Sequence, residues 1–411
     1  MSSVITQQFH LYNTISDSEY ESIDRARSEL FADINDRHPL YLSNETDDDL
    51  IKIKNVANRI KNDFSNLVII GTGASNTIPS SIASLSNKQL VNIYYLDNAD
   101  QTSVDKLLAK LDPKNTAFLA ISKSGETIEV LALTLLCIKW ISLHLGSTTL
   151  VTHFFVITDY SQNSLRRIGQ SLKVTILTHP QAIGGRYAVF SCVGLLVAAI
   201  VGFNIDNIIK CAKEAFTNQI KPNSSVCEGA SYLLSMSKHY VNSVFMIYGD
   251  QFNGISSWYR QLVAESLGKE SHGINPIIAA GLIDQHSQLQ LYLDGPNDKF
   301  FTFLTKVIQD KNKIHINNKI VDVDLSFLKK CSLGDIMNAQ FVNIKDLLLH
   351  HKKNIRIIST NNLQEEFIAE FMMGQMLEII LFAFVKNINP FNQPAVEKIK
   401  DNIKVILNER R

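Results

Sequence analysis

The chain has 411 residues, more than one ordinary core holds at roughly 100–200 residues per domain, so two domains are expected. Forty basic residues balance forty acidic ones, which removes any bulk attraction to nucleic acid or an anionic membrane, and 45% hydrophobic with 19% charged residues is a composition that folds. Five cysteines, an odd number without a C-x-x-C pair, point to neither a zinc site nor a disulfide framework and fit a reducing cytoplasm.

The N-terminal MSSVITQQFH lacks the basic start and apolar core of a signal peptide. Residues 1–45 read as a polar, helical N-terminal segment, and TDDDL at 46–50 as the start of a helix running into IKIKNVANRIKND. Apolar strand-like runs then alternate with helical patterns: NLVII at 66–70, VNIYYLD at 91–97, AFLAIS at 117–122, HFFVITD at 153–159 and KVTILTH at 173–179. Strands that are apolar throughout and separated by helices imply a parallel sheet covered on both faces. The uncharged run from Tyr187 to Asn204 is too short and too polar to span a bilayer and is expected to be a buried core helix.

KPNSSV at 221–226 is a polar break, with a boundary expected near 205–225. The alternation resumes with VFMIYGD at 244–250, the helical WYRQLVAESLGKE, INPIIAAG, LQLYLDG read as a strand, and FFTFLTKVI. From Leu363 the chain is helical until NINPFNQP at 387–394, and a final helix begins near Pro394. The division expected is 1–45, a first α/β domain at 46–215, a second at 225–385, and a C-terminal arm at 386–411.

AFLAIS-KSGET-IEVLAL is a strand, a small polar turn and a helix, a geometry that aims backbone N–H groups at an anion. Ser122, Ser124 and Thr127 add hydroxyls and Gly125 allows close approach, which suits a phosphate; a plain N-cap is the other reading, and Glu126 must point away if an anion binds. GTGASN after NLVII has Gly71 and Gly73 as a dinucleotide fingerprint would, with Asp97 ending the next strand, but Asn76 stands where the third glycine belongs. A phosphate- or sugar-binding turn through Ser75 is the competing reading. Gly184-Gly185-Arg186 places one guanidinium beside an apolar helix, either as a structural ion pair or to stabilise charge on a substrate oxygen.

Trp258, Leu262 and Glu265 fall at i, i+4 and i+7, so a carboxylate lies on an apolar stripe, where lost hydration makes a better proton acceptor; a surface pair with Lys269 is the alternative. In GLIDQHSQLQLY, His286 stands among Asp284, Gln285 and Gln288, and could otherwise be a core histidine. Val396, Lys400, Ile403 and Leu407 share a helical face, so Lys400 points inward or snorkels. Glu265 and His286 together suggest proton-transfer chemistry.

The segments GGRYAVFSCVGLL, QLVAESLGK, DQHSQLQLYLDGPNDKFFTF and NPFNQPAVEKIK resemble the glucose-6-phosphate isomerase (phosphoglucose isomerase) family, a similarity running from about residue 60 to 405 and nearest to its short bacterial members. The resemblance implies two sugar-isomerase (SIS) domains, each a doubly wound parallel sheet flanked by helices, plus a C-terminal arm, in a cytoplasmic homodimer with its active sites at the interface and no cofactor or metal. By position it implies Glu265 as the base moving a proton between C2 and C1 through a cis-enediol, Arg186 steadying the enediolate, His286 assisting ring opening from the neighbouring subunit, and Lys400 attending the ring oxygen. Ser122, Lys123, Ser124 and Thr127 correspond to the phosphate loop, with Ser75 and Gln393 lining the sugar phosphate. GTGASN replaces the family's GIGGSD, and VEKIK its VEAGK.

The activity so implied is reversible isomerisation of glucose 6-phosphate and fructose 6-phosphate in glycolysis and gluconeogenesis. Three alternatives stand beside it. One is a dual phosphoglucose and phosphomannose isomerase, against which Gln393 weighs because that group resembles a threonine pattern there. The others are a non-catalytic sugar-phosphate-binding SIS protein and a nicotinamide-dependent dehydrogenase built on Gly71, Gly73 and Asp97.

Overall fold

A computed structural model of the chain describes residues 3–31, 45–88, 90–306, 313–314 and 324–396, with positions 403, 406, 407 and 409 beyond them. Its strands are β1 (Ile5–His10), β2 (Asn66–Ile70), β3 (Asn92–Leu96), β4 (Thr116–Ile121), β5 (Phe154–Thr158), β6 (Thr175–Thr178), β7 (Asn242–Tyr248), β8 (Asn275–Ala280), β9 (Lys299–Lys306) and β10 (Ile355–Thr360). They form two five-stranded sheets. The first has the order β3-β2-β4-β5-β6 and is parallel throughout. Its central β4 is buried at all six residues, which is why TAFLAI carries no polar alternation.

The second sheet has the order β1-β10-β9-β7-β8, parallel except at one edge. There β1 runs antiparallel to β10, in register from Ile5 opposite Thr360 to His10 opposite Ile355. Residues 5–10 are thus part of a sheet, which corrects the reading of the N-terminal segment as polar and helical; among the described residues there, Asp17–Phe31 is the helix. Thr6 and Gln8 face solvent along β1, so the strand lacks the continuous apolar run that marks an interior one. LQLYLDG is also corrected, since Leu289–Asp294 is a helix. Over six residues an apolar pattern fits either period; here Tyr292 is buried, Leu291 is exposed, and the Tyr292 hydroxyl donates to Gln288 Oε1 at 2.9 Å, the i–4 spacing of a helix.

The helix beginning at Asp47 starts as TDDDL indicates, with Thr46 and Asp49 forming a reciprocal capping box. The run from Tyr187 is buried as expected, but it divides into a 3₁₀ turn (Gly185–Phe190) and an α-helix (Cys192–Ile200), where Ser191 Oγ accepts from Val193 N. Glu365–Val385 is apolar nearly all round because most of its length, Phe367–Ala383 apart from Glu370, is buried. Its Glu378 meets Arg356 of β10 at 2.8 Å, both side chains buried, and Arg356 Nε donates to Gln7 of β1 at 2.8 Å. That pair fastens the edge strand to the core.

The two halves meet through Ala74–Leu85 and Asn253–Leu267, helices that follow β2 and β7 and lie against each other. Gly254 makes the approach possible, as a Cβ there would come within 2.5 Å of Ser80 O. This contact brings chemistry from both halves together.

Candidate active site

In the first sheet the chain leaves β2 toward β3 on one side and β4 toward β5 on the other, so the order reverses between two adjacent strands. Ligands of open α/β sheets bind outside the carboxyl ends of such strands. Two helix N-termini sit at that point. Ala74–Leu85 follows Gly73 (φ +57°) and Ile128–Leu145 follows Thr127, and neither cap residue supplies a side-chain hydrogen bond to its helix. The plain N-cap reading of the SKSGET turn therefore does not describe Thr127, whose Oγ1 instead lies 3.1 Å from Ser122 Oγ.

The turn is tightly built. Ser122 is buried and its Oγ accepts from Gly125 N at 3.1 Å. Gly125 has φ +63°, and a Cβ there would fall 1.8 Å from Asn163 Oδ1, so only glycine fits. Ser124 is exposed, with its Oγ accepting from Glu126 N. Glu126 turns toward the β5 connection, accepting from Ser164 N at 2.7 Å and Ser164 Oγ at 3.0 Å, which weakens the repulsion its charge would exert on an anion in the turn. Lys123 Nζ donates to Ile183 O at 2.8 Å, and burial holds its pKa below the ordinary lysine value against the opposing pull of Asp159.

Ile183 precedes Gly184-Gly185-Arg186, and Gly185 packs beside Ala74 of the first turn. Arg186 is buried and its guanidinium is fully engaged: Nε donates to Ser266 Oγ (2.8 Å), Nη1 to Glu265 Oε2 (3.0 Å) and Gln393 Oε1 (2.9 Å), and Nη2 to Pro390 O and Asn392 O. Tyr187 OH lies 2.9 Å from Ser266 Oγ, and Trp258 Nε1 donates to Arg186 O at 2.9 Å. The stripe read on the helix is present, with Trp258 and Leu262 buried and Glu265 at its open end, its side chain 32% exposed.

Glu265 Oε1 accepts from Gln261 Nε2 at 2.8 Å, and Gln261 Oε1 from Thr77 Oγ1 at 3.0 Å. Lys269 is not Glu265's ion-pair partner; it donates to Asn389 O, and burial, with Arg186 nearby, pushes its pKa down to about 8.

Arg186, Glu265 and Gln393 are thus brought into direct contact, and Lys123 links the Ser122–Thr127 turn to the segment carrying Arg186. Ser75 lies in the first turn of Ala74–Leu85, partly exposed. His286 is not part of this group: it is exposed on the short helix Gly281–Ser287, which Asp284 braces by accepting from Ala280 N at 2.6 Å and Ser287 Oγ at 2.8 Å. Lys400 lies outside the described residues. Among those described, no three His, Cys, Asp or Glu side chains gather as a metal-ligand set. Asn76, in the place of a third glycine, donates to Asp97 Oδ2 at 2.6 Å, so the carboxylate that a ribose would need is already engaged.

Sequence reasoning missed Gln261, Ser266, Tyr187 and Asn163. Gln261 carried one signal, its i–4 spacing from Glu265 on the same helix face.

Residues 52–409 match the family model described as phosphoglucose isomerase. The chain belongs to that family. The glucose-6-phosphate isomerase of Campylobacter jejuni is 31% identical over 84% of this chain and 85% of its own length, and that of Methanocaldococcus jannaschii 30% over 86% of each. Among solved structures, a hypothetical protein from Thermus thermophilus superposes with a TM-score of 0.85 at 26% identity, over 98% of this chain and 99% of that one. A glucose-6-phosphate isomerase from Chlamydia trachomatis gives 0.78 at 17% identity, covering 98% of this chain and 81% of that one, a likeness of fold. As a phosphoglucose isomerase family member, the chain has the α/β architecture of parallel sheets flanked by helices that the family resemblance implied.

Proposed function

We propose that this chain interconverts glucose 6-phosphate and fructose 6-phosphate, an aldose and a ketose that differ by proton positions at C1, C2 and their oxygens. The step is redox-neutral, since the proton taken from one carbon is returned to its neighbour. The observation that carries the reading is the 3.0 Å pairing of Glu265 with the buried guanidinium of Arg186, the charge couple needed to remove a proton beside a carbonyl and hold the resulting oxyanion.

In this reading the Ser122–Thr127 turn, with Lys123, Ser124 and Ser75, holds the phosphate at the two uncapped helix N-termini. Glu265 takes the proton from C2 of the open-chain aldose, the hydroxyl proton passes from O2 to O1 by way of a cis-enediol, and the same carboxyl returns its proton to C1. All five Arg186 N–H groups already have acceptors, so a substrate oxygen reaches the guanidinium by exchange with one of them. The Gln393 side-chain amide is the acceptor best able to swing aside, since the others are backbone carbonyls, buried Ser266 and the base itself.

Ring opening falls to His286 of a second copy and to Lys400. Exposed Ile283 and Leu291 flank His286, and exposed Leu333 and Val342 lie on the neighbouring Leu333–His350 helix; that apolar surface supports a homodimer contact on this face. Unpaired cysteines, four of them buried, support a cytoplasmic location.

The test is to supply fructose 6-phosphate and follow glucose 6-phosphate with a coupled dehydrogenase, with Glu265→Gln in parallel. Turnover by the wild type and a loss of about a thousandfold or more in the variant are expected. A loss below tenfold would remove Glu265 as the base. A folded protein that binds fructose 6-phosphate without converting it would be a sugar-phosphate-binding protein instead, and turnover of mannose 6-phosphate would make it a dual isomerase.

A further inference from the structure

Besides its own hydrogen bonds, the anion-binding turn is tied to the connection after β5. Asp159 N donates to Lys123 O at 3.1 Å, Leu165 N to Gly125 O at 3.0 Å, and Ser164 to the Glu126 carboxylate through both its N–H and its hydroxyl. Three of the turn's residues are therefore tied to the segment 158–165. At the centre of that segment is Asn163, buried beneath Gly125. Its Oδ1 occupies the space where a Cβ on residue 125 would be, and it accepts from Arg166 N at 2.8 Å, capping the Ser164–Ser171 helix. Its Nδ2 lies 3.0 Å from Thr158 Oγ1, 3.0 Å from Asp159 Oδ1 and 3.2 Å from Ser161 Oγ.

We propose that Asn163 is a positioning residue for phosphate recognition: its amide fills the hollow under Gly125 and pins the β5 connection, so that the Ser122–Thr127 turn keeps its N–H groups and hydroxyls converged on one anion. The inference rests on the reading of that turn as the phosphate site. A helix cap alone would need only the Oδ1 acceptor. The contacts that go beyond a cap are the amide's bulk against Gly125 and the donations of Nδ2, and these a serine cannot reproduce although it caps helices as well as asparagine does.

The experiment compares Asn163→Ser and Asn163→Ala with the full-length wild type. The readouts are kcat, KM for fructose 6-phosphate, the inhibition constant of inorganic phosphate as a competitive probe of the anion site, and the thermal midpoint. Asn163→Ser is expected to raise KM and the phosphate inhibition constant together by about tenfold, with kcat within about threefold of wild type and a midpoint lowered less than in Asn163→Ala. Asn163→Ala should show the same kinetic split with a midpoint lower still, because it also loses the cap.

Wild-type kinetic constants in Asn163→Ser would reduce the residue to a helix cap and overturn the inference while leaving the isomerase reading intact. A parallel fall in kcat with unchanged KM would overturn it too. If inorganic phosphate fails to compete in a wild type that turns over, the site assignment of the turn falls and this inference with it.

Discussion

Gln261 and Glu265 stand one turn apart on the Asn253–Leu267 helix, and the amide of the first donates to Oε1 of the second at 2.8 Å while Arg186 holds Oε2 at 3.0 Å. Each oxygen of the carboxylate thus has its own donor. The Gln261 amide is itself held by Thr77 of the first half, so the orientation of the proposed base is shared between the two halves. Replacing Gln261 with Ala removes one of the two and frees the carboxylate to rotate. The expected outcome is a drop in kcat of about ten- to a hundredfold with a smaller change in KM, read by steady-state kinetics.

Arg186→Lys keeps a positive charge but not the fork. One ammonium cannot serve Ser266, Glu265, Gln393, Pro390 and Asn392 together, so several buried acceptors lose their donor. A loss of about 2 kcal/mol in stability is expected from unpaired buried groups. The fall in kcat/KM should exceed a hundredfold, and denaturant unfolding beside kinetics separates the two effects. Unchanged stability would show that the cluster tolerates an ammonium.

Glu45 gives a pH dependence with a definite sign. It accepts from Cys192 N at 3.0 Å, at the start of the buried Cys192–Ile200 helix, and burial pushes its carboxyl up to about 7 from the ordinary value of 4.5. Between those values the folded protein holds a proton that the unfolded chain has released. Stability from this group is therefore highest below the unfolded value and is lost as pH rises toward 7, a difference on the order of 3 kcal/mol. Glu45→Gln keeps an acceptor for Cys192 N and removes the ionisation. Its midpoint should exceed that of wild type at pH 8, and the gap should close near pH 5.

The placement of His286 on an exposed helix yields a complementation test. In the proposed homodimer, Glu265→Gln and His286→Ala are each expected to be nearly inactive. Mixed and exchanged, they should recover about a quarter of wild-type activity, because half of the random dimers carry one site in which both residues are native. If His286 serves the Glu265 of its own subunit, mixing restores nothing.

The strands of the first sheet were legible because β4 and β5 are covered on both faces and write that burial as an unbroken apolar run. β10 was passed over although its backbone pairs on both sides, since IRIIST carries Arg356, and nothing in the neighbouring sequence reveals that Glu378 neutralises it inside the core. The site divides in the same way. Arg186 and Glu265 stood out as charges set against apolar helices and Gln393 emerged from motif resemblance, whereas Gln261, Ser266, Tyr187 and Asn163 are uncharged and gain their meaning mainly from partners in other elements. A hydrogen bond between Arg186 and Ser266, eighty positions apart in the chain, leaves no periodic trace.

The pairing of β1 with β10 has a consequence for how the molecule comes into being. β1 must wait for β10, while the five strands of the other sheet follow one another between Asn66 and Thr178 and have every partner at hand. Synthesis therefore separates the two halves in time: one sheet can close while the chain is still growing, and the other keeps an open margin until β10 has been made. An extension fused to the N-terminus would sit at that margin and compete with the final step of assembly.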